Sequence, residues 1–296
     1  IRFDKAFNDD LCRLLSYSGC IAVSGGIEIA EPRLLELINK GVTIEQAAQV
    51  TNNFKKAGIL VHSYLMYGYP TQTEQETINS LEMVRQFIKN GLIQSAFWHK
   101  FALTIHSPIA QNPKKYGIKI LSSLNNPFAN NDLKFKDLSS INHDKFTKGL
   151  NYALYNYMHG IGLDWSLSKW FDISIPKPTI DKNLISKIIT KNDIVYLPEK
   201  SKTVVWEGTI PEVIKQDKSI KILKTVKGNI EGIWELDYKI AAWLKNMAAE
   251  TVNGMKTNYL IFDNWAASFP YNDERKEKFF KSNCWKDIRN YFLIVV

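Results

Sequence analysis

Residues 20–77 read CIAVSGGIEIAEPRLLELINKGVTIEQAAQVTNNFKKAGILVHSYLMYGYPTQTEQET, and the order of residue types in this stretch decides the fold. Cys20–Val23 is a short apolar strand of the kind buried on both faces, and Ser24-Gly25-Gly26 turns it. Pro32 suits the first turn of a helix that runs to about Asn39 and stops at Gly41. Thr43 and Gln46 have capping-box spacing, and Ile44, Ala47, Val50, Phe54 and Ala57 follow at helical period until Gly58. Ile59–Tyr67 is the next strand. After it, Thr73 and Glu76 open a second capped helix with Ile78, Leu81, Val84 and Ile88 as its buried stripe. Strands one βα repeat apart predict parallel pairing through right-handed crossovers, with any ligand held at the strand ends.

Outward from this stretch, residues 8–19 suggest a helix with Leu11, Leu14 and Leu15 on one face, and Gln94–Ile105 reads as a third strand. The expected order is 20–23, 59–67 and 94–105, adjacent and parallel. Three strands form part of a parallel (βα) barrel and leave an edge that a complete protein has to cover. The pattern breaks after Pro108: residues 109–140 are Asn-, Ser- and Lys-rich and loop-like, and Asn142–His159 is an aromatic-rich helix. Pro176-Lys177-Pro178 reads as a linker, which gives one domain over 1–175 and a smaller α+β domain over 179–296. In the latter, Ile194–Leu197 and Thr203–Trp206 are candidates for a hairpin. A strand near 219–226, a long helix near 230–252 and a final helix-plus-strand follow.

Composition sets the outer bounds. No apolar run approaches the ~18 residues that span a bilayer. The net charge of +8 comes mostly from dispersed lysines that alternate with Asp, Glu, Ile and Val over 177–227, a solvated face rather than a nucleic-acid surface. The three cysteines, Cys12, Cys20 and Cys284, have neither zinc nor redox spacing, so a disulfide framework is not expected and a reducing cytoplasm is. Cys20 reads as a small buried hydrophobe. The chain starts Ile1-Arg2-Phe3, without Met, and reads as a piece of a longer polypeptide.

Alternation along 61–68 puts His62, Tyr64, Met66 and Gly68 on one face and Val61, Ser63, Leu65 and Tyr67 on the other. Along 95–108, Phe97, His99, Phe101, Leu103 and Ile105 read as core, whereas Trp98, Lys100, Thr104 and His106 read as lumen. Trp98, Lys100 and His106 are therefore candidate substrate contacts, with a hydrogen-bonded His-Ser-Pro turn as the competing reading of His106. Glu28 next to a glycine turn also suits a helix N-terminus, and Lys40 before Gly41 also suits a helix C-terminus.

Taken in order, Ser24-Gly25-Gly26-Ile27-Glu28, Lys40-Gly41 and the strand ending Met66-Tyr67-Gly68-Tyr69-Pro70 resemble the later barrel strands of the radical SAM (S-adenosylmethionine) superfamily. The closest class is the one whose members often carry an upstream cobalamin-binding domain. The resemblance covers residues 1–108 and extends more loosely to 175. It implies that Ser24, Gly26, Glu28, Lys40, Tyr64, Met66 and Gly68 face the cofactor, with Lys40 toward its carboxylate and Met66 against adenine. Ile29 and Tyr64 depart from the family's usual residues. The CxxxCxxC loop that holds the superfamily's cluster is absent. The resemblance implies a 4Fe-4S cluster with ligands upstream of this chain, S-adenosylmethionine cleaved to a 5′-deoxyadenosyl radical, a substrate it does not identify, and cobalamin as a candidate further cofactor. The fragment alone is then expected to be inactive. The alternative is a non-catalytic binding protein on a retained barrel, whose C-terminal domain recognises a peptide or RNA.

Overall fold

The computed structural model describes residues 1–121, 131–139, 141–190, 203–217, 219–252 and 262–295. The chain divides into two compact units, the first ending at Asn192 and the second running from Asp193 to Val296 together with Arg13–Leu15. The boundary lies beyond the proline pair because residues 177–185 are tied to the first unit. Gln75 donates to the Lys177 carbonyl (2.8 Å), Asn79 to Thr179 Oγ1 (3.0 Å) and Gln86 to the Asp181 carbonyl (2.9 Å).

The first unit begins with α1 (Asp9–Tyr17, without its Arg13–Leu15), β1 (Ala22–Glu28), α2 (Pro32–Leu37), α3 (Ile44–Lys56), β2 (Leu60–Tyr67), α4 (Glu74–Lys89) and β3 (Ser95–Lys100). The three strands form one sheet in the order β1-β2-β3, and both pairings are parallel. The expected adjacency, order and direction are therefore present. Thr73 and Glu76 make the full capping box at the start of α4. At α3 only half the box forms: Thr43 accepts from the Gln46 N–H, but the Gln46 side chain donates to the Phe3 carbonyl.

Several boundaries differ from the sequence reading. Ser24-Gly25-Gly26 lies inside β1 rather than in a turn. Its glycines are needed for close packing, since a Cβ on Gly25 would come within 2.7 Å of the Phe3 ring. α2 ends before Gly41, and Asn39 takes the left-handed conformation at φ +52°. Cys20 is half-buried and precedes the strand. β3 stops at Lys100, and β4 (Leu103–Thr104) instead pairs antiparallel with residues Asp132–Leu133.

Within the stretch expected to be loop, α5 (Pro108–Gln111), β5 (Ile118–Ile120), β6 (Asp132–Leu133) and β7 (Phe135–Asp137) form, with β5 antiparallel to β7. Ile29, Leu34, Tyr69, Leu103, Ile109, Ile118 and Leu133 bury one another in a cluster joining these elements to the ends of β1 and β2, and Met66 packs against it. The aromatic helix is α6 (Asp144–Met158), and α7 (Leu184–Thr190) closes the unit.

The second unit contains β8 (Val204–Trp206), β9 (Glu212–Gln216), β10 (Ile220–Lys227), β11 (Ile230–Asp237), α8 (Tyr238–Thr251), α9 (Phe262–Ala267), α10 (Asp273–Phe280), α11 (Asn283–Tyr291) and β12 (Leu293–Val295). β9, β10 and β11 form an antiparallel meander. The helix expected from 230 therefore begins only at Tyr238. Of the expected hairpin, Ile194–Leu197 lies outside the described residues, and β8 pairs with β12. The closing helix-plus-strand is present as α11 and β12. Trp206, Phe262, Trp285 and Phe292 are fully buried in one aromatic core.

Candidate functional site

The sheet of the first unit has two unlike faces. Val61, Ser63, Leu65 and Tyr67 are buried on one side of β2, as alternation requires, and His62, Tyr64 and Met66 lie on the other. Register then fixes β3: Tyr64 is beside Phe97 and Met66 beside His99, so Phe97 and His99 share the open face. Tyr64 is 44% exposed and Phe97 52%. Their rings form a partly exposed aromatic surface, with Tyr64 5.2 Å from His62 and 6.0 Å from His99, and Phe97 4.6 Å from His99. His62 Nδ1 is held by Ser95 Oγ at 2.8 Å.

This reverses the two faces expected for 95–108. Trp98 is 4% exposed and packs edge-on against Tyr67, so it is core and not a contact on the open side. Lys100 is at the end of β3 and pairs with Asp144 at 2.6 Å. His106 is exposed in a turn where Ser107 Oγ donates to the Thr104 carbonyl (2.7 Å) and accepts from the Ala110 N–H (3.2 Å). The His-Ser-Pro turn is thus the arrangement found.

At the C-terminal end of β1, register shifts between Gly26 and Glu28, a bulge that leaves the Ile27 N–H without its ladder partner. The buried Ser63 hydroxyl accepts it at 3.4 Å. Glu28 turns the chain at φ +61°, and its side chain folds back over Gly26. A Cβ on Gly26 would come within 2.0 Å of Glu28 Oε1 and 3.1 Å of Lys40 Nζ. Lys40, returned to β1 by the end of α2, donates to Glu28 Oε1 at 2.7 Å. The two residues are thereby brought together in a half-buried ion pair, and neither performs the helix-end role that its position also allowed. Ser24 is on the same side, in register with His62.

Gly68 follows β2 at φ +74°, with its N–H donated to Gln72 Oε1 at 2.7 Å. A Cβ there would meet ordinary van der Waals contacts, 3.4 Å from His143 Cβ and 3.6 Å from Lys100 Cγ. His143 was not singled out from sequence, and no local motif marks it. Beside it is a cavity of about 520 Å³, lined also by Gly68, Lys100, Phe101, Leu133 and Phe135.

The cysteines do not fit a cluster. No group of three His, Cys, Asp or Glu side chains among the described residues could hold a metal ion. Burial pushes the thiols of Cys12 and Cys284 up to about 12, which keeps them protonated. No helix among the described residues is long and apolar enough to cross a membrane.

Comparison with known proteins agrees with the resemblance over the part that holds Gly26, Glu28, Lys40, Tyr64, Met66 and Gly68. Residues 1–84 match the family model of the radical SAM superfamily. An uncharacterized methyltransferase of Pyrococcus horikoshii is 31% identical over 82 residues, which is 28% of this chain and 18% of that protein. An uncharacterized protein of Methanopyrus kandleri is 31% identical over 85 residues, 28% of this chain and 16% of that protein. The matches thus span less than a fifth of either relative's length.

Proposed function

We propose, from the radical SAM likeness of residues 1–84, that this chain supplies part of the S-adenosylmethionine site of a radical SAM enzyme. The observation that carries this reading is the Glu28–Lys40 pair standing over the bare Cα of Gly26 at the C-terminal end of β1. The amino-acid end of S-adenosylmethionine is a zwitterion. An ammonium beside a carboxylate suits it, because Lys40 keeps further N–H donors for the ligand carboxylate and Glu28 keeps acceptor capacity for the ligand ammonium. The open face with Tyr64 and Met66 offers a partly exposed aromatic and apolar surface to the rest of the ligand.

When bound at a 4Fe-4S cluster, this cofactor supplies a carbon radical for hydrogen abstraction. The described cysteines do not form the ligand set, so the role argued for these residues is binding and orientation alone. The Pyrococcus relative carries the name methyltransferase, which favours methyl transfer as the outcome. Cobalamin use rests on the sequence resemblance alone.

The test is calorimetric titration with S-adenosylmethionine in a polypeptide that carries both these residues and a verified cluster. Glu28→Ala and Lys40→Ala are each expected to weaken binding roughly ten- to hundredfold, the loss of a charge-assisted contact of ~1.5–3 kcal/mol. Unchanged affinity in both variants would overturn the reading.

A further inference from the structure

Register lays the open face of the first unit's sheet out in rows: His62 beside Ser95, Tyr64 beside Phe97 and Met66 beside His99. None of the six is Asp, Glu, Lys or Arg. The rings meet edge to face, Phe97 with His99 at 70° and Tyr64 with His62 at 82°. Among the described residues His99 makes ring contacts only, and the Tyr64 hydroxyl has no hydrogen bond. Tyr64, Phe97 and His99 are all exposed, so a ligand can touch them as they stand.

A parallel sheet is ordinarily covered on both faces, and exposed rings gathered on one of them mark an interaction surface. Chemistry narrows the occupant. No side chain in these rows offers a fixed counter-ion to a charged ligand. Glu28 and Lys40 stand over β1, two strands from Phe97, and Lys100 at the end of β3 is paired with Asp144. A planar ring gains more here than a saturated one, because it extends the edge-to-face contacts beyond the area that it buries. The His99 imidazole has an N–H to offer a hydroxyl or carbonyl oxygen on that ring.

We infer that the β3 side of this face binds a planar, uncharged aromatic molecule, packed against the Phe97 ring and hydrogen-bonded by His99. That this molecule is the substrate rests on the proposed cofactor site. Sheet order puts β2 between β1 and β3, at about 5 Å per strand. A cofactor held by Glu28 and Lys40 over β1 and reaching Tyr64 and Met66 on β2 leaves Phe97 and His99 for a second molecule beside it. The cofactor's own adenine is planar too, so the test has to separate the two.

Titration of the full 296-residue chain with phenol and with cyclohexanol, which keeps the hydroxyl and loses the aromatic ring, tests the ligand class with no S-adenosylmethionine present. NMR of the histidine rings reports the contact, with His99 assigned by its absence in His99→Gln. Saturable phenol binding that moves the His99 resonances is expected, roughly three- to tenfold tighter than cyclohexanol. Phe97→Ala, at an exposed position where folding tolerates the change, removes that preference. Equal binding of the two probes, no saturable phenol binding, or a preference that survives Phe97→Ala would each overturn the inference. So would a dimer in sedimentation that Phe97→Ala dissociates, which gives the face to a second copy of the chain. In the cluster-bearing polypeptide, Phe97→Ala should leave S-adenosylmethionine affinity within about twofold. A loss of roughly tenfold or more would put adenine itself on β3 and overturn the substrate assignment. The phenol comparison needs no cofactor, so unchanged affinity in Glu28→Ala and Lys40→Ala would strike the cofactor site and not the ring site.

Discussion

In the second unit Trp206, Phe262, Trp285 and Phe292 fill one core, and Asp237, Asn272 and Ser282 side chains cap α8, α10 and α11. Two of its lysines find partners in this part of the chain, Lys224 with Glu231 and Lys227 with Glu207. The first unit is built differently. Its sheet buries one face under helices but leaves Tyr64 and Phe97 about half exposed on the other, and it encloses a histidine whose ring nitrogens have no hydrogen-bond partner. In the second unit Asp263 Oδ1 and Trp265 Nε1 are buried without a hydrogen-bond partner, but its rings bury one another, and a region packed in this way behaves as scaffold. A region that keeps aromatic surface and polar atoms uncommitted has them available for ligands, and the family match falls on part of that region.

The widest gap between the two should appear in stability. Trp285→Ala empties a fully buried site among Phe262, Phe279 and Phe280, with an expected loss of about 3–5 kcal/mol. Tyr64→Ala on the open face should cost about 1 kcal/mol or less. Urea unfolding of both variants checks this, and equal losses would erase the contrast between the units.

Gly26→Ala sharpens the comparison inside the first unit. The new methyl displaces the Glu28 carboxylate, which is the end of a flexible side chain, so stability should change by about 1 kcal/mol or less. S-adenosylmethionine affinity, in the cluster-bearing polypeptide, should still fall roughly ten- to hundredfold, as for Glu28→Ala. Large destabilisation with affinity retained would assign Gly26 to folding alone.

The smallest effect is a pH dependence. Burial lowers the His143 pKa in the folded state, so below the ordinary value of 6.5 the unfolded chain takes up the proton first. Stability therefore rises with pH through the interval from the folded pKa up to 6.5 and falls as the solution is acidified. Chemical denaturation across this interval should show a shallower slope in His143→Phe than in the unaltered chain. An identical slope would mean that the ring is not desolvated.

What could be read from the sequence was local. The Thr73–Glu76 box, the strand at 59–67 and the parallel order of three strands follow from short-range spacing, and all are present. The parity of β3 was not readable, because alternation defines two faces without saying which is core, and Phe97 and Trp98 are both aromatic. Register against β2 decides it. β1 extends through its glycines because Phe3 and the Glu28 carboxylate need the space there, a tertiary reason invisible in a run of small residues. β11 does carry a local signal: Gly228-Asn229 is a hairpin turn, and Gly232, Trp234 and Leu236 alternate at period two. Glu28 and Lys40 were both singled out, but their pairing with each other depends on the path of α2 and could not be foreseen.

Glu28 also bears on how this sequence would drift. A left-handed backbone costs an ordinary residue about 1–2 kcal/mol, a cost that glycine avoids. At φ +61°, directly after a bulge, position 28 is one where mutation screened only for a well-folded product should favour glycine or asparagine. A lineage that keeps glutamate there is under selection for something other than folding. In a large mutational library, enrichment at position 28 would therefore separate the two pressures, with glycine winning on abundance and glutamate on activity.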